Sequence, residues 1–141
     1  GEEVLAPLLA HGTADLVVAF EPAEAARVLP FLAPGGTLVT ATTALQPVTA
    51  ALSKTPYRAA AVVARLQEQL ADAATFVAVD DAALCAQAGS RKVLNTLLLA
   101  SALKTGCLPL DVDDLRRAIS SCVKPRFVDL NLAAIDAVAA R

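Results

Sequence analysis

Tryptophan and methionine are absent from these 141 residues, histidine occurs once, and the aromatic share is only 4%. Without large rings the core must be built from aliphatic side chains, and alanine supplies much of the 56% hydrophobic content. Alanine favours helices that pack closely, because it combines the highest helix propensity with a small side chain. The one histidine, His11, falls in an N-terminal loop, so a Ser/His or Cys/His nucleophilic site would depend on that single residue. Cys85, Cys107 and Cys122 are odd in number, far apart, and form no Cys-x-x-Cys pair. That argues against a disulfide framework or a cysteine-held cluster and for buried free thiols in a reducing compartment.

Basic excess is missing too. Twelve Lys and Arg stand against fourteen Asp and Glu, a formal charge of −2, so no nucleic-acid face is expected. The densest apolar run, LLLASAL at 97–103, falls far short of the ~20 residues of a membrane span. GEEVLAPLL at the start has no basic segment and no cleavage pattern, so no signal peptide is expected and the location is read as cytoplasmic. What is abundant is apolar content, above the roughly 45–50% of a typical soluble domain. The surplus fits two readings equally, a surface covered by another chain or an alanine-rich genome bias. The length suits one domain over 1–141 with a real core.

The order of elements reads as α/β. After a loop of about fourteen residues, DLVVAF (15–20) is a short continuous apolar run, as in a strand buried on both faces. Glu21-Pro22 opens a helix over 21–33, with proline in the first turn and a disturbance at Pro30. Pro34-Gly35-Gly36 reads as a turn and 36–42 as a second strand, which completes a βαβ unit and implies a parallel sheet. Residues 44–57 read as a connecting loop and 58–71 as a helix with Ala61, Val62, Leu66 and Leu70 on one side. TFVAVD (75–80) is a third strand. Asp80 or Asp81 caps a helix that stops at Gly89, and Ser90 caps a long helix ending at Gly106. Asp111 caps an amphipathic helix over 112–123, with Leu115, Ile119 and Cys122 or Val123 inward, and a last helical pattern fills 127–141. The expected fold is a Rossmann-like three-layer arrangement with a small parallel sheet and a helical C-terminal third. Three strands are few for such a sheet, and no glycine-rich strand-to-helix loop occurs, so the chain reads as truncated at its N-terminus.

Most polar residues have a plain structural reading. Asp80-Asp81 is the one adjacent acidic pair at a strand end, and helix capping accounts for it better than metal ligation. Gly35-Gly36 precedes a strand, the wrong order for a phosphate loop. Asp113, Asp114, Arg116 and Arg117 make the wet face of a helix. Two features invite more. Glu21-Pro22 stands at the carboxyl end of a strand, where parallel sheets place ligands or partners, although an acid there also suits the helix dipole. Arg91 and Asn95 lie four apart, on a face continuing to Leu99 and Ala102. An amide on an apolar helix must find partners, at a cost of ~1–3 kcal/mol if it does not. Asn95 is therefore expected to bond a neighbouring loop or a partner chain.

Three segments taken in order resemble the gamma-type domain of 2-oxoacid:ferredoxin oxidoreductases, and within it the small-subunit branch associated with indolepyruvate. They are Asp15–Thr40 with its strand, Glu21-Pro22 and Pro34-Gly35-Gly36; Gly89, Arg91 and Asn95 followed by Leu108-Pro109; and Asn131, Leu132 and Ala134. The departures are a missing glycine-rich opening, Ala100 in place of a common glycine, and Ile135 in place of a common aromatic. The resemblance implies a complex that oxidatively decarboxylates arylpyruvates to acyl-CoA and passes electrons to ferredoxin. It implies that thiamine diphosphate, magnesium, coenzyme A and iron–sulfur clusters belong to the complex, none being bound by this chain alone. The expected partner is the large (alpha) subunit, with Glu21, Pro22, Arg91, Asn95 and Asn131 as subunit or loop contacts and no catalytic residue here. Alone, the chain is expected to be inactive, and either weakly stable or self-associating, because a sheet lacking its neighbours exposes an edge. The alternative is a stand-alone small-ligand or interaction module with Glu21 and Asp80 lining a crevice at the strand ends.

Overall fold

A computed structural model describes residue 3 and residues 6–43 and 58–141. The expected loop over 44–57 lies outside the described residues, as do parts of the N-terminal loop. Three parallel strands, β1 (Ala14–Ala19), β2 (Leu32–Ala41) and β3 (Thr75–Val79), form a sheet in the order β1-β2-β3. Val39 of β2 lies between Val18 and Val77, so β2 is the central strand. It is also the only one buried along most of its length. Leu16, Val17 and Val18 of β1 are half-buried, which corrects the expectation of a strand covered on both faces.

Period-two alternation sends adjacent side chains of β2 into two separate cores. Leu38 packs with Ala19, Ala25, Leu66 and Leu70 beneath α1 (Pro22–Val28) and α2 (Ala59–Leu70). Val39 and Ala41 pack on the other side with Leu84, Val93, Leu97, Leu98, Ile135 and Val138. That side is covered by α3 (Asp81–Ala88), α4 (Leu94–Lys104), α5 (Val112–Cys122) and α6 (Pro125–Ala139). The result is the expected Rossmann-like α/β layering with a helical last third.

Local boundaries move for physical reasons. The helix expected over 21–33 ends at Val28, and Leu29–Phe31 forms a single 3-10 turn running straight into β2. Pro30 has no N–H with which to continue an α-helix. Pro34-Gly35-Gly36 is not a turn before the strand but a bulge within it. Ala14 pairs with Leu32 while Leu16 pairs with Thr37, so β2 carries extra residues against β1. Gly35 takes φ +75°, and a Cβ on Gly36 would meet the Ala33 carbonyl at 2.9 Å, so both positions require glycine. The long helix after Ser90 also divides. Arg91–Val93 is a 3-10 turn capped by the Ser90 hydroxyl, which accepts from the Lys92 N–H at 3.0 Å, and α4 follows. Asp111 and Asp114 form a reciprocal capping box on α5. Ile119 is buried there, but Cys122 faces solvent, and of the three free thiols only Cys85 is buried.

Candidate functional site

The carboxyl ends of β2 and β3 meet over one carboxylate. Val79 ends β3, and the chain turns at Asp80 into α3. Of the two acids expected to cap this helix, Asp80 alone does so, accepting from the Ala83 N–H at 3.2 Å. Asp81 instead points inward and is fully buried. Its Oδ1 accepts from the Thr42 N–H at 2.9 Å and the Thr43 N–H at 3.0 Å, just past the end of β2. Its Oδ2 accepts from Arg91 Nη1 at 2.6 Å. Gly89, at φ +89°, ends α3 in the left-handed region, and extended Ser90 reverses the chain so that Arg91 reaches back over α3.

Burial opposes the charge on Asp81, but the Arg91 guanidinium and the Thr42 and Thr43 amides outweigh it and hold the carboxyl below its ordinary range. Arg91 is raised in turn, chiefly by its hydrogen bond to Asp81. Burial also pushes up the Cys85 thiol, one turn along α3, against the lowering pull of Arg91 and with a smaller push from Asp81. Cys85 is therefore a protonated thiol at neutral pH and a poor nucleophile. Arg91 itself keeps 54% of its side chain exposed. The arrangement ties three loops together and leaves one face of a cation available.

The expected site residues separate into two groups. Arg91 and Asn95 are both exposed, and with Leu99, 43% exposed, they form a stripe at four-residue spacing. Ala102, expected to extend that face, is fully buried, so the stripe ends at Leu99. The Asn95 amide oxygen accepts from the adjacent Thr96 N–H at 2.9 Å, so among the described residues it bonds its own helix rather than a neighbouring loop. The amide that joins elements is Asn131. Its Oδ1 accepts from the buried Thr96 hydroxyl at 2.5 Å, and its Nδ2 donates to the Phe127 carbonyl at 2.8 Å. This clasp joins α4 to α6. Glu21 precedes α1 at the end of β1 without a side-chain cap bond, and Pro22 is buried at the first helical position.

Asp81 and Thr96 were missed by sequence reasoning. Asp81 did carry a faint signal, an acid directly after a buried strand with a cation ten residues on. A polar cleft of about 470 Å³ does exist, but at the opposite end of the sheet. Asp15 and Thr75, at the amino ends of β1 and β3, line it with Thr37 in the middle of β2, the Gly35-Gly36 bulge and the Leu108-Pro109 turn.

No three His, Cys, Asp or Glu side chains converge as metal ligands among the described residues. Asp81, the buried carboxylate, already has both oxygens engaged. The described residues therefore offer no ligand set for a magnesium ion or an iron–sulfur cluster. No described helix is long and apolar enough to cross a membrane.

Comparison with known sequences places these features in a lineage. All 141 residues match the family described as pyruvate ferredoxin/flavodoxin oxidoreductase. The chain is similar to the indolepyruvate oxidoreductase subunit IorB of Pyrococcus horikoshii, 29% identical over 136 residues, covering 96% of this chain and 67% of that protein. It is 27% identical to the subunit of the same name from Thermococcus kodakarensis, again over 96% and 67%. With that of Methanothermobacter thermautotrophicus it shares 30% identity, over 94% of this chain and 66% of the relative. The chain thus spans about two thirds of the length of these relatives.

Proposed function

The chain belongs to the pyruvate ferredoxin/flavodoxin oxidoreductase family, and from that premise we propose that it is the small-subunit domain of an arylpyruvate-oxidising complex. The observation that carries the reading is the family match along the whole chain, joined to relatives named as subunits of indolepyruvate oxidoreductase. In this reading the large subunit holds thiamine diphosphate, magnesium and iron–sulfur clusters, coenzyme A accepts the acyl group, and ferredoxin takes the electrons. The small subunit packs against it in the cytoplasm and is inactive by itself. A division of this kind is chemically sound, because the cofactor performs the difficult steps and the protein supplies position and electrostatics.

Within this chain the subunit contact falls on the stripe of Arg91, Asn95 and Leu99. A cation, an amide and a leucine, all exposed, supply the mixture of hydrogen bonding and apolar area that interfaces use. Asp81 holds Arg91 in place from below. Asn131 and Pro22 act as supports, since one joins two helices and the other is buried. Glu21 contributes from the neighbouring strand end.

The test is reconstitution. The full-length protein and the large subunit encoded beside it are purified separately, mixed, and assayed for indolepyruvate-dependent dye reduction with thiamine diphosphate and coenzyme A. Activity is expected only in the mixture, and Asn95→Arg with Leu99→Asp should abolish co-purification while leaving the thermal midpoint unchanged. Failure of the wild-type chains to associate overturns the proposal.

A further inference from the structure

Strand β3 has β2 on one side and, among the described residues, nothing on the other. The Val79 carbonyl accepts from the Thr42 N–H at 3.1 Å and so faces β2. The N–H and C=O of one residue leave a strand on the same side, and successive residues alternate. Phe76 and Ala78 therefore turn their backbone groups to the open edge. The strand, TFVAV, has no charge, no proline and no bulge, the devices by which an edge left bare avoids pairing with another chain.

Beside this edge runs a groove of about 360 Å³, walled by Val77, Val79, Leu84 and Val138. Its two ends differ in charge. Asp80 stands at the carboxyl end of β3, while Arg141 and Lys104, whose ammonium also donates to the Val138 and Arg141 carbonyls, stand towards the amino end, where the next residue, Thr105, shares a cleft with Thr75. A groove acidic at one end and basic at the other is complementary to itself under a two-fold rotation.

We infer that β3 pairs antiparallel with β3 of a second copy of this chain. The strand's midpoint, Val77, lies on the two-fold axis. Phe76 of each copy exchanges both backbone hydrogen bonds with Ala78 of the other. Asp80 of each copy then lies beside Lys104 and Arg141 of the other, so charge fixes the antiparallel register. A strand added at an open edge draws its affinity from main-chain bonds, and side chains set which partner is accepted.

Sedimentation of the full-length protein over a concentration series tests this, with amide hydrogen exchange as the local readout. A dimer is expected whose dissociation constant rises with salt. On dimerisation the amides of Phe76 and Ala78 should slow while those of Val77 and Val79, already turned to β2, stay unchanged. Ala78→Pro removes an outward N–H and no internal one, so it should yield a folded monomer. If that variant fails to fold, Ala78→Lys at the same exposed position must give the monomer instead. A wild-type monomer, a dimer that survives both substitutions, or exchange at Phe76 and Ala78 that ignores concentration would overturn the inference.

Discussion

Two sets of charges in this molecule look alike as pairs of residues and differ in nearly everything that matters. On α5, Arg116 bonds Asp113 at 2.5 Å and Asp136 at 2.8 Å, and Arg117 bonds Asp114. Asp113 and Asp136 are open to solvent, 66% and 69% exposed, and Asp114 keeps a third of its side chain exposed. At the end of the sheet Arg91 bonds Asp81, whose side chain is 0% exposed. Exposed pairs trade water for a partner of nearly equal worth and contribute ~0–1 kcal/mol each. A buried carboxylate has no water to return to. What binds it must hold, and it therefore organises the end of β2, the start of α3 and the approach to α4.

The sharpest way to break this comparison is to remove Asp81. Asp81→Ala strips the acceptor from the Thr42 and Thr43 amides and from Arg91, and opens a hole in a packed region. It should cost ~3 kcal/mol in urea unfolding, the sum expected for amides left without their acceptor and for the hole left behind. A cost below that of Arg116→Ala on α5 would show that the junction does not hold the fold. Replacing Arg91 with Met should cost less, ~2 kcal/mol, because two backbone amides still bond the carboxylate. Thr96→Val keeps the shape of the α4–α6 clasp but withdraws the donor to Asn131, at ~1 kcal/mol. Arg116→Ala should change stability least of the four, the expectation for pairs on a wet helix face.

Acid titration sharpens the same contrast. The folded-state pKa of Asp81 is depressed, so its contribution is complete above the ordinary aspartate range and is lost as pH falls through the folded value. Asp111 is lowered too, by the Asp114 backbone N–H first, and contributes in the same direction. The difference between wild type and Asp81→Asn isolates the junction. That difference should be largest at neutral pH and shrink as the pH is taken below the aspartate range. A pH-independent difference would mean that the charge on Asp81 is not what the amides and Arg91 recognise.

Much of the fold was legible because local rules governed it. β-branched runs marked the three strands, Asp111 and Ser90 announced the turns that follow them, and Gly89 marked the end of α3. The bulge at Pro34-Gly35-Gly36 was not legible, since a turn and a bulge ask for the same residues and only the pairing with β1 distinguishes them. Asp80 and Asp81 show the same limit at the site. Two identical neighbours divide into a solvent-side cap and a buried anchor because α3 leaves the strand at one angle rather than another. The exchange of roles between Asn95 and Thr96 has the same origin. One residue of helix corresponds to about 100° of rotation at 3.6 residues per turn, and that set which side chain met Asn131.

By itself, then, the chain's sequence determined its α/β class, the order of its strands and helices, and the ordered motifs that place it in its family. Those properties depend on periodicity and near neighbours, which a linear string carries. Tertiary structure alone decided that Asp81 is the buried centre, that Thr96 rather than Asn95 reaches across to α6, and that β3 turns Phe76 and Ala78 to the side away from β2. Each of these depends on which groups meet across many residues of chain, as Thr42 meets Asp81, 39 residues on. Such meetings are settled by packing angle and strand register, where a shift of one residue reverses the outcome.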